Sequence, residues 1–226
     1  MFTKKLLTSV CFLVAGSAAH AASSTFGLNT TVNGTLPVGG GLSEPFLKYT
    51  IADSATTGGP AGSVDLTFNV SNLSSTEYVD DWFFNLAPEG GPLPLGLNIA
   101  PLSSSGTFTT PIISFTTARG QIANAGYEFD VELDFETSGS GGGVQRFNQG
   151  DQFVLRITAT NALSISDFLY TDAGNPNIPV FTLAKVNGIP PNNSGEVTFV
   201  PEPSSLVLFG SGLVWSAMMI RRKRVA

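Results

Sequence analysis

Residues 127 to 136 alternate between apolar and acidic side chains without a break. The apolar members are Tyr127, Phe129, Val131, Leu133 and Phe135, and the acidic members are Glu128, Asp130, Glu132, Asp134 and Glu136. A β-strand directs successive side chains to opposite faces, whereas a helix would spread both kinds around its axis. The segment therefore predicts a strand with five carboxylates on one face and five apolar residues on the other.

Further segments alternate in the same way, or are short apolar runs between turn residues. They lie at residues 28–36, 46–51, 64–70, 78–86, 107–117, 152–160, 168–170, 180–186 and 195–199. No segment between them places apolar residues at i, i+3, i+4 and i+7 over three turns, as an amphipathic helix would. About ten short strands without helices predict an all-β fold, an antiparallel β-sandwich of jelly-roll type.

The row of carboxylates leaves three interpretations open. Neighbouring members would lie about 6.6 Å apart at their bases, so the face must be wet, screened or occupied by cations. The first interpretation is a solvated outer face. The second is a Ca²⁺ site, which needs six to eight oxygens and hence carbonyls from adjacent strands. The third is a glycosidase pair, which an open row disfavours because it offers no apolar pocket to raise the pKa of an acid.

A second group of residues that could bind a ligand or take part in chemistry lies at residues 78 to 84. If this segment is a regular strand, Asp80 and Asp81 point to opposite faces and do not form a pair. Tyr78, Trp82 and Phe84 then share one face, either as core packing or as a platform for stacking sugars. Core packing is the expected role, because aromatic residues at period two commonly fill a sandwich.

The first 21 residues predict a secretory signal peptide. Lys4 and Lys5 precede an apolar segment, and small residues stand at Ala19 and Ala21, the two positions that a signal peptidase reads. Cleavage is expected after Ala21. The single Cys and the single His of the chain, Cys11 and His20, both lie in this segment. The body, residues 22–200, therefore lacks disulfides, thiolate nucleophiles, Cys or His zinc sites and Ser-His-Asp catalysis.

The body is strongly acidic, with five Lys or Arg against sixteen Asp or Glu, a net charge of −11. This balance excludes a nucleic-acid-binding role, which needs a basic face. It is compatible with divalent cations and neutral polysaccharides as partners.

The last residues, 201–226 with the preceding Val200, form a tail of three parts. It begins with the extended tetrapeptide Val200, Pro201, Glu202 and Pro203. Seventeen uncharged residues, 204–220, follow and would make a transmembrane helix of roughly 25 Å. The tail then carries four cations, Arg221, Arg222, Lys223 and Arg224, which should stay on the cytoplasmic side.

These three parts in this order at the C-terminus resemble the PEP-CTERM sorting signal of bacterial envelope and biofilm proteins. The resemblance implies recognition of the tail by a membrane processing enzyme, an exosortase. It also implies an inner-membrane intermediate, followed by placement at the cell surface or in the extracellular matrix.

Together these features predict an exported, non-catalytic cell-surface or biofilm-matrix protein that needs no cofactor. A carbohydrate- or calcium-binding module of an exopolysaccharide matrix is the first alternative, and a glycan hydrolase is the weaker one.

Overall fold

The computed structural model describes residues 22–39, 44–88, 90–116, 120–123, 126–137, 145–172 and 178–199. The strands in chain order are β1 Ser23–Leu28, β2 Thr30–Gly34, β3 Leu47–Asp53, β4 Val64–Val70, β5 Tyr78–Phe84, β6 Asn98–Ser105, β7 Ile112–Phe115, β8 Gln121–Ile122, β9 Glu128–Phe129, β10 Val131–Asp134, β11 Phe147–Asn148, β12 Gln152–Thr158, β13 Thr182–Ile189 and β14 Asn193–Thr198. One helical turn, α1 Ser54–Thr57, follows β3, and a 3₁₀ turn occupies Ile165–Phe168.

Two antiparallel sheets make the fold. Sheet A has the strand order β1-β3-β4-β12-β6. Sheet B has the order β2-β14-β13-β5-β10-β7, with β11 also pairing with β5, and β8 and β9 form a separate small pair. All paired strands run antiparallel, which confirms the predicted all-β sandwich. The finer expectation of jelly-roll connectivity stays a prediction.

The core lies between the two sheets and is rich in aromatic rings. Trp82 of sheet B is fully buried, and its ring meets Phe68 of sheet A edge-on at 5.1 Å between centroids. Phe135 and Phe147 stack at 4.4 Å toward one end of the same core. Because edge-on ring pairs are favourable beyond the area they bury, the contact between Trp82 and Phe68 helps to set how the two sheets face each other.

Four of the strands were not predicted from the sequence: the two-residue strands β8 and β11, and the longer strands β1 and β6, which are the edge strands of sheet A. β1 and β6 hold few buried apolar residues, and β6 includes Pro101. An edge strand can accommodate proline because one of its backbone sides has no ladder partner to satisfy. The largely polar side chains of β1 and β6 are exposed or half-buried with few exceptions, so they give little periodic signal, although both strands pair with their neighbours.

One predicted strand is wrong. Residues 168–170 do not form a strand, because Phe168 ends the 3₁₀ turn that begins at Ile165. The Asp167 carboxylate accepts a hydrogen bond of 2.7 Å from the Ser164 N–H and one of 2.9 Å from its hydroxyl. A Ser three residues ahead of an acidic residue is a helix-start signal, and it could have been recognised in the sequence.

Candidate functional site

The predicted processing residues lie outside the described part of the chain. These are Ala19 and Ala21 at the N-terminus, and Val200, Pro201, Glu202, Pro203, Arg221, Arg222, Lys223 and Arg224 at the C-terminus. The last described residue, Phe199, follows β14 directly. Its ring lies 5.2 Å from Phe26 and 5.8 Å from Phe181. The tail therefore leaves the sandwich from a residue that packs against the core.

The expectation that five carboxylates share one face is wrong at Asp130. The chain turns at this residue, so the predicted strand divides into β9 and β10. Asp130 is 1% exposed, and its Oδ2 accepts hydrogen bonds of 2.8 and 2.9 Å from the backbone N–H groups of Leu86 and Ala87. Buried backbone donors need an acceptor, and this carboxylate supplies one for the loop after β5.

The apolar half of the segment is also divided at Asp130. Val131, Leu133 and Phe135 belong to the main core between the sheets. Tyr127 and Phe129 instead pack in a second, smaller cluster with Phe83. All five are buried as predicted, but they do not face the same core.

Asp80 and Asp81 form a pair, contrary to the expectation from strict alternation. The register between β5 and β13 shifts here, with Lys185 opposite Asp81 and Val186 opposite Val79, so Asp80 is the extra residue of a β-bulge. Both carboxylates therefore reach Lys185, whose Nζ lies 2.5 Å from Asp80 Oδ2 and 3.3 Å from Asp81 Oδ2. A bulge places two residues against one and resets the alternation beyond it.

Because of the same bulge, Tyr78 and Trp82 do not share a face of the sheet. Trp82 and Phe84 are buried in the main core, together with Val79 in place of Tyr78. The core-packing interpretation of Trp82 is confirmed, whereas Tyr78 is only partly buried.

The outer face of sheet B gathers further carboxylates around Lys185. We call Asp80, Asp81, Glu132, Asp134 and Lys185 the acidic cluster. Burial, reinforced by the charge of Asp80, raises the pKa of Asp81 to about 6, although Lys185 opposes the shift. Burial and a neighbouring carboxylate also raise the pKa of Glu132 and that of Asp134. Of the two acids on β10, Glu132 is half-buried and Asp134 is exposed.

Within the described ranges, no set of three His, Cys, Asp or Glu side chains is arranged to hold a metal ion. The same part of the chain includes no helix with the length and apolar character that crossing a bilayer requires. The segment predicted to cross, 204–220, lies beyond these residues.

A polar cleft of about 600 Å³ lies at the end of sheet B where β5 begins. Its wall includes Tyr78, Arg146 and four asparagines, which are Asn148, Asn187, Asn192 and Asn193. Asn187 on β13 and Asn148 on β11 are the register partners of Tyr78 on either side. Directly opposed residues in antiparallel strands share a face, so three adjacent strands present an Asn-Tyr-Asn row that extends over about 10 Å.

Arg146 and Glu77 are the charged residues of the cleft wall. The Arg146 guanidinium carbon lies 4.1 Å from the centre of the Tyr78 ring, and its Nε donates to the Thr137 carbonyl at 3.0 Å. Glu77 is 1% exposed, and its two carboxylate oxygens accept from the backbone N–H groups of Val38, Gly39 and Ser74. Glu77 therefore anchors two loops beneath the cleft.

The cleft was not recognised from the sequence. Its residues come from four strands, from the loops that lead into β5 and β11, and from the turn between β13 and β14, and the pairing of those strands brings them together. The Pro-Pro-Asn-Asn segment at 190–193 is typical of a turn, but no local pattern indicates which residues lie opposite it.

Comparison with known proteins gives one match. A family model for the PEP-CTERM protein-sorting motif matches residues 199–224, and the matched range includes the Pro-Glu-Pro segment, the apolar run and the four cations. No curated protein and no solved structure matches the chain. The chain thus carries a PEP-CTERM protein-sorting motif, as the resemblance predicted. The motif indicates export, processing by an exosortase-type enzyme and sorting to the cell surface.

Proposed function

We propose that this protein is a non-catalytic component of the cell surface or of the biofilm matrix, delivered there by its C-terminal sorting motif. The observation that carries the proposal is the motif at residues 199–224, which begins directly after the last strand of the sandwich. The sandwich is then the part that remains after processing, and the tail acts only during delivery.

The connection between the body and the apolar run is short. Four residues, 200–203, separate Phe199 from Ser204, and in extended form they reach at most about 14 Å. Each proline disfavours helical geometry in the residue before it, so the tetrapeptide stays extended and accessible to a processing enzyme. Glu202 is the residue that we expect the enzyme to read.

The sorting proposal is tested by variants of this tetrapeptide in cells. Glu202→Gln keeps the shape and removes the charge, whereas Pro201→Ala with Pro203→Ala keeps the charge and lets the helix extend backward. Both variants should accumulate in the membrane fraction at the mass of the uncut chain, as should the wild type in a host without its exosortase-type enzyme. A wild-type surface protein that keeps residues 204–226 would overturn the proposal and leave a plain membrane anchor.

The non-catalytic part of the proposal rests on the chemistry of the body. Residues 22–200 contain neither Cys nor His. The acid in the wall of the cleft is Glu77, which is already engaged by three backbone donors. A glycosidase needs two carboxyl groups on either side of its substrate, and this wall offers no such pair. Hydrolysis of a polysaccharide that is lost in Asp81→Asn or Glu132→Gln would favour the hydrolase alternative instead.

A second candidate function is binding of a neutral oligosaccharide in the polar cleft. The Asn-Tyr-Asn row supports it, because amide groups exchange hydrogen bonds with sugar hydroxyls without adding charge. Asn187 Nδ2 donates to Asp80 Oδ2 at 2.9 Å, which orients this amide at the edge of the cleft. Its length of about 10 Å, two inter-strand spacings, suits a short run of sugar units. The body charge of −11 opposes polyanionic chains, so the expected partner is an uncharged extracellular polysaccharide.

Calorimetry with a neutral hexose oligomer and with a uronate oligomer of equal length tests this candidate. The neutral oligomer should bind and should lose affinity in Asn187→Ala and Asn193→Ala. Asn98→Ala, an exposed asparagine on β6 in the other sheet, is the matched control and should bind like the wild type. Equal affinity in all three variants would overturn the assignment of the cleft, while preferential uronate binding would show that the ligand is acidic.

A further inference from the structure

The first described residue, Ala22, is held against the turn that follows β3. The Ala22 nitrogen donates to Asp53 Oδ2 at 2.8 Å. In return, the Asp53 N–H donates to the Ala22 carbonyl at 3.0 Å, and the Thr56 hydroxyl donates to the same carbonyl at 3.2 Å. The contacts lie just before β1, whose first residue, Ser23, pairs with Ala52.

Asp53 is oriented by the turn itself. It is the N-cap of α1, and its Oδ1 accepts from the Thr56 N–H at 3.3 Å and from the Thr56 hydroxyl at 3.3 Å. One carboxylate oxygen therefore fixes the turn, while the other is directed at Ala22. The hydrogen bond from Ala22, followed by those from Thr56, lowers the pKa of Asp53 despite partial desolvation, so the carboxylate is ionised at neutral pH.

We propose that the peptide bond between Ala21 and Ala22 is the export processing site, and that the ammonium group released on Ala22 forms an ion pair with Asp53. Hydrolysis adds water across this bond, leaving a carboxylate on Ala21 and an amine on Ala22 that takes up a proton. The nitrogen that donates one N–H in the precursor then carries three N–H groups and a positive charge. This inference rests on the export part of the proposed function.

The geometry selects this bond over its neighbours. One residue of extended chain advances about 3.4 Å, so cleavage one position earlier or later would place the charge away from the carboxylate. The charged side chains on the adjacent elements have partners of their own. Asp65 of β4 is engaged by Arg156 of β12 at 2.7 Å, and Asp167 by the Ser164 N–H and hydroxyl. Asp53 is therefore the carboxylate that receives the new charge.

The consequence is an ion pair that forms only in the processed protein, where the precursor has the single hydrogen bond from the Ala22 nitrogen. β1 is an edge strand of sheet A, and its first residues are the place where the sheet would begin to open. The ion pair holds the start of β1 against the turn that follows β3. Because a free α-amino group titrates at about 7.7–8.0, the added attraction should be complete below that pH and be lost as the pH rises through the higher pKa of the paired ammonium.

The test uses the processed protein purified from the cell envelope. Mass spectrometry should place its N-terminus at Ala22. With ¹³C-labelled alanine, the Ala22 methyl signal should then report an amino pKa above about 8 in the wild type and near 8 in Asp53→Asn. Asparagine is as good an N-cap as aspartate, so this variant keeps α1 while it removes both the charge and the acceptor oxygen that faces Ala22.

A second measurement does not depend on that variant. A chain with one extra alanine before Ala22 should melt at a lower temperature than the processed protein at pH 6, and the difference should vanish above about pH 10. An N-terminus at another residue, or an Ala22 pKa that is the same in the wild type and in Asp53→Asn, would overturn the inference. A chain that still carries residues 1–21 would instead contradict export itself, and thus the proposed function.

Discussion

Replacing Asp130 by alanine should destabilise the protein more than replacing any of the other four carboxylates between residues 128 and 136. In the structure, Asp130 Oδ2 is the acceptor for the N–H groups of Leu86 and Ala87, both of which are 2% exposed. Each buried donor left without a partner costs about 1–3 kcal/mol, so we expect Asp130→Ala to lower the free energy of unfolding by about 2–6 kcal/mol.

Asp130→Asn removes the negative charge but keeps one oxygen that can accept hydrogen bonds. Both hydrogen bonds end on one oxygen, so an asparagine can place its own carbonyl oxygen there and keep both as neutral bonds. The loss should then be about 1–2 kcal/mol, the difference between charge-assisted and neutral bonds. Glu128→Gln, an exposed position on the same segment, is the matched control and should stay within about 0.5 kcal/mol of the wild type.

Urea unfolding at pH 7, followed by circular dichroism, measures all three variants on one scale. A loss of 2 kcal/mol corresponds to a fall in Tm of roughly 4–8 °C for a domain of this size, so thermal melts provide an independent check. If Asp130→Ala unfolds within about 0.5 kcal/mol of Glu128→Gln, the buried role of Asp130 is refuted. The five carboxylates would then share one solvated face, as the alternation alone predicts.

Three further predictions concern the charged groups of the two sheets. Because Asp81 has a pKa of about 6 when folded, the folded state binds more protons than the unfolded state between about pH 4 and 6, and its contribution to stability should fall as the pH rises through this window. The Tm difference between wild type and Asp81→Asn should therefore change across the window, and a constant difference would contradict the raised pKa. Arg156→Ala should lower the free energy of unfolding by about 3–5 kcal/mol, because it removes both 2.7 Å hydrogen bonds to Asp65, whose side chain is 2% exposed. In urea unfolding, the double variant Arg156→Ala with Asp65→Asn should recover part of that stability. If it recovers none, the loss does not come from an unpaired buried charge on Asp65. Finally, CaCl₂ and MgCl₂ at matched ionic strength should raise the Tm equally by screening the acidic cluster, whereas a calcium-specific rise that disappears in Glu132→Gln with Asp134→Asn would favour the calcium-binding alternative.

The periodic patterns of the sequence determine much of the fold class. Segments with clear period two, such as residues 64–70 and 152–160, are strands in the structure at almost the same bounds. This succeeds because side-chain alternation follows from backbone geometry within a single strand. The sorting tail was also recognisable without a structure, since a Pro-Glu-Pro segment, an apolar run and a cationic end are defined by their order along the chain.

The chemistry of the surface could not be predicted in the same way. One inserted residue in a strand moves every later side chain to the other face, and whether a bulge forms depends on the partner strand. The bulge at Asp80 pairs it with Asp81 around Lys185, and it separates Tyr78 from Trp82. At Asp130 the decisive factor was a loop 43 residues away, whose buried N–H groups needed an acceptor.

The sequence by itself thus determined that the chain forms strands, which of its longer segments they are, and that its C-terminus carries a sorting motif. Only the tertiary structure decided which polar residues meet. The Asn-Tyr-Asn row is assembled from three strands, and Ala22 meets Asp53 across 31 positions of the chain. Period two is a local property of each strand, whereas strand order, register and bulges arise from pairing between distant segments, which a local pattern does not encode.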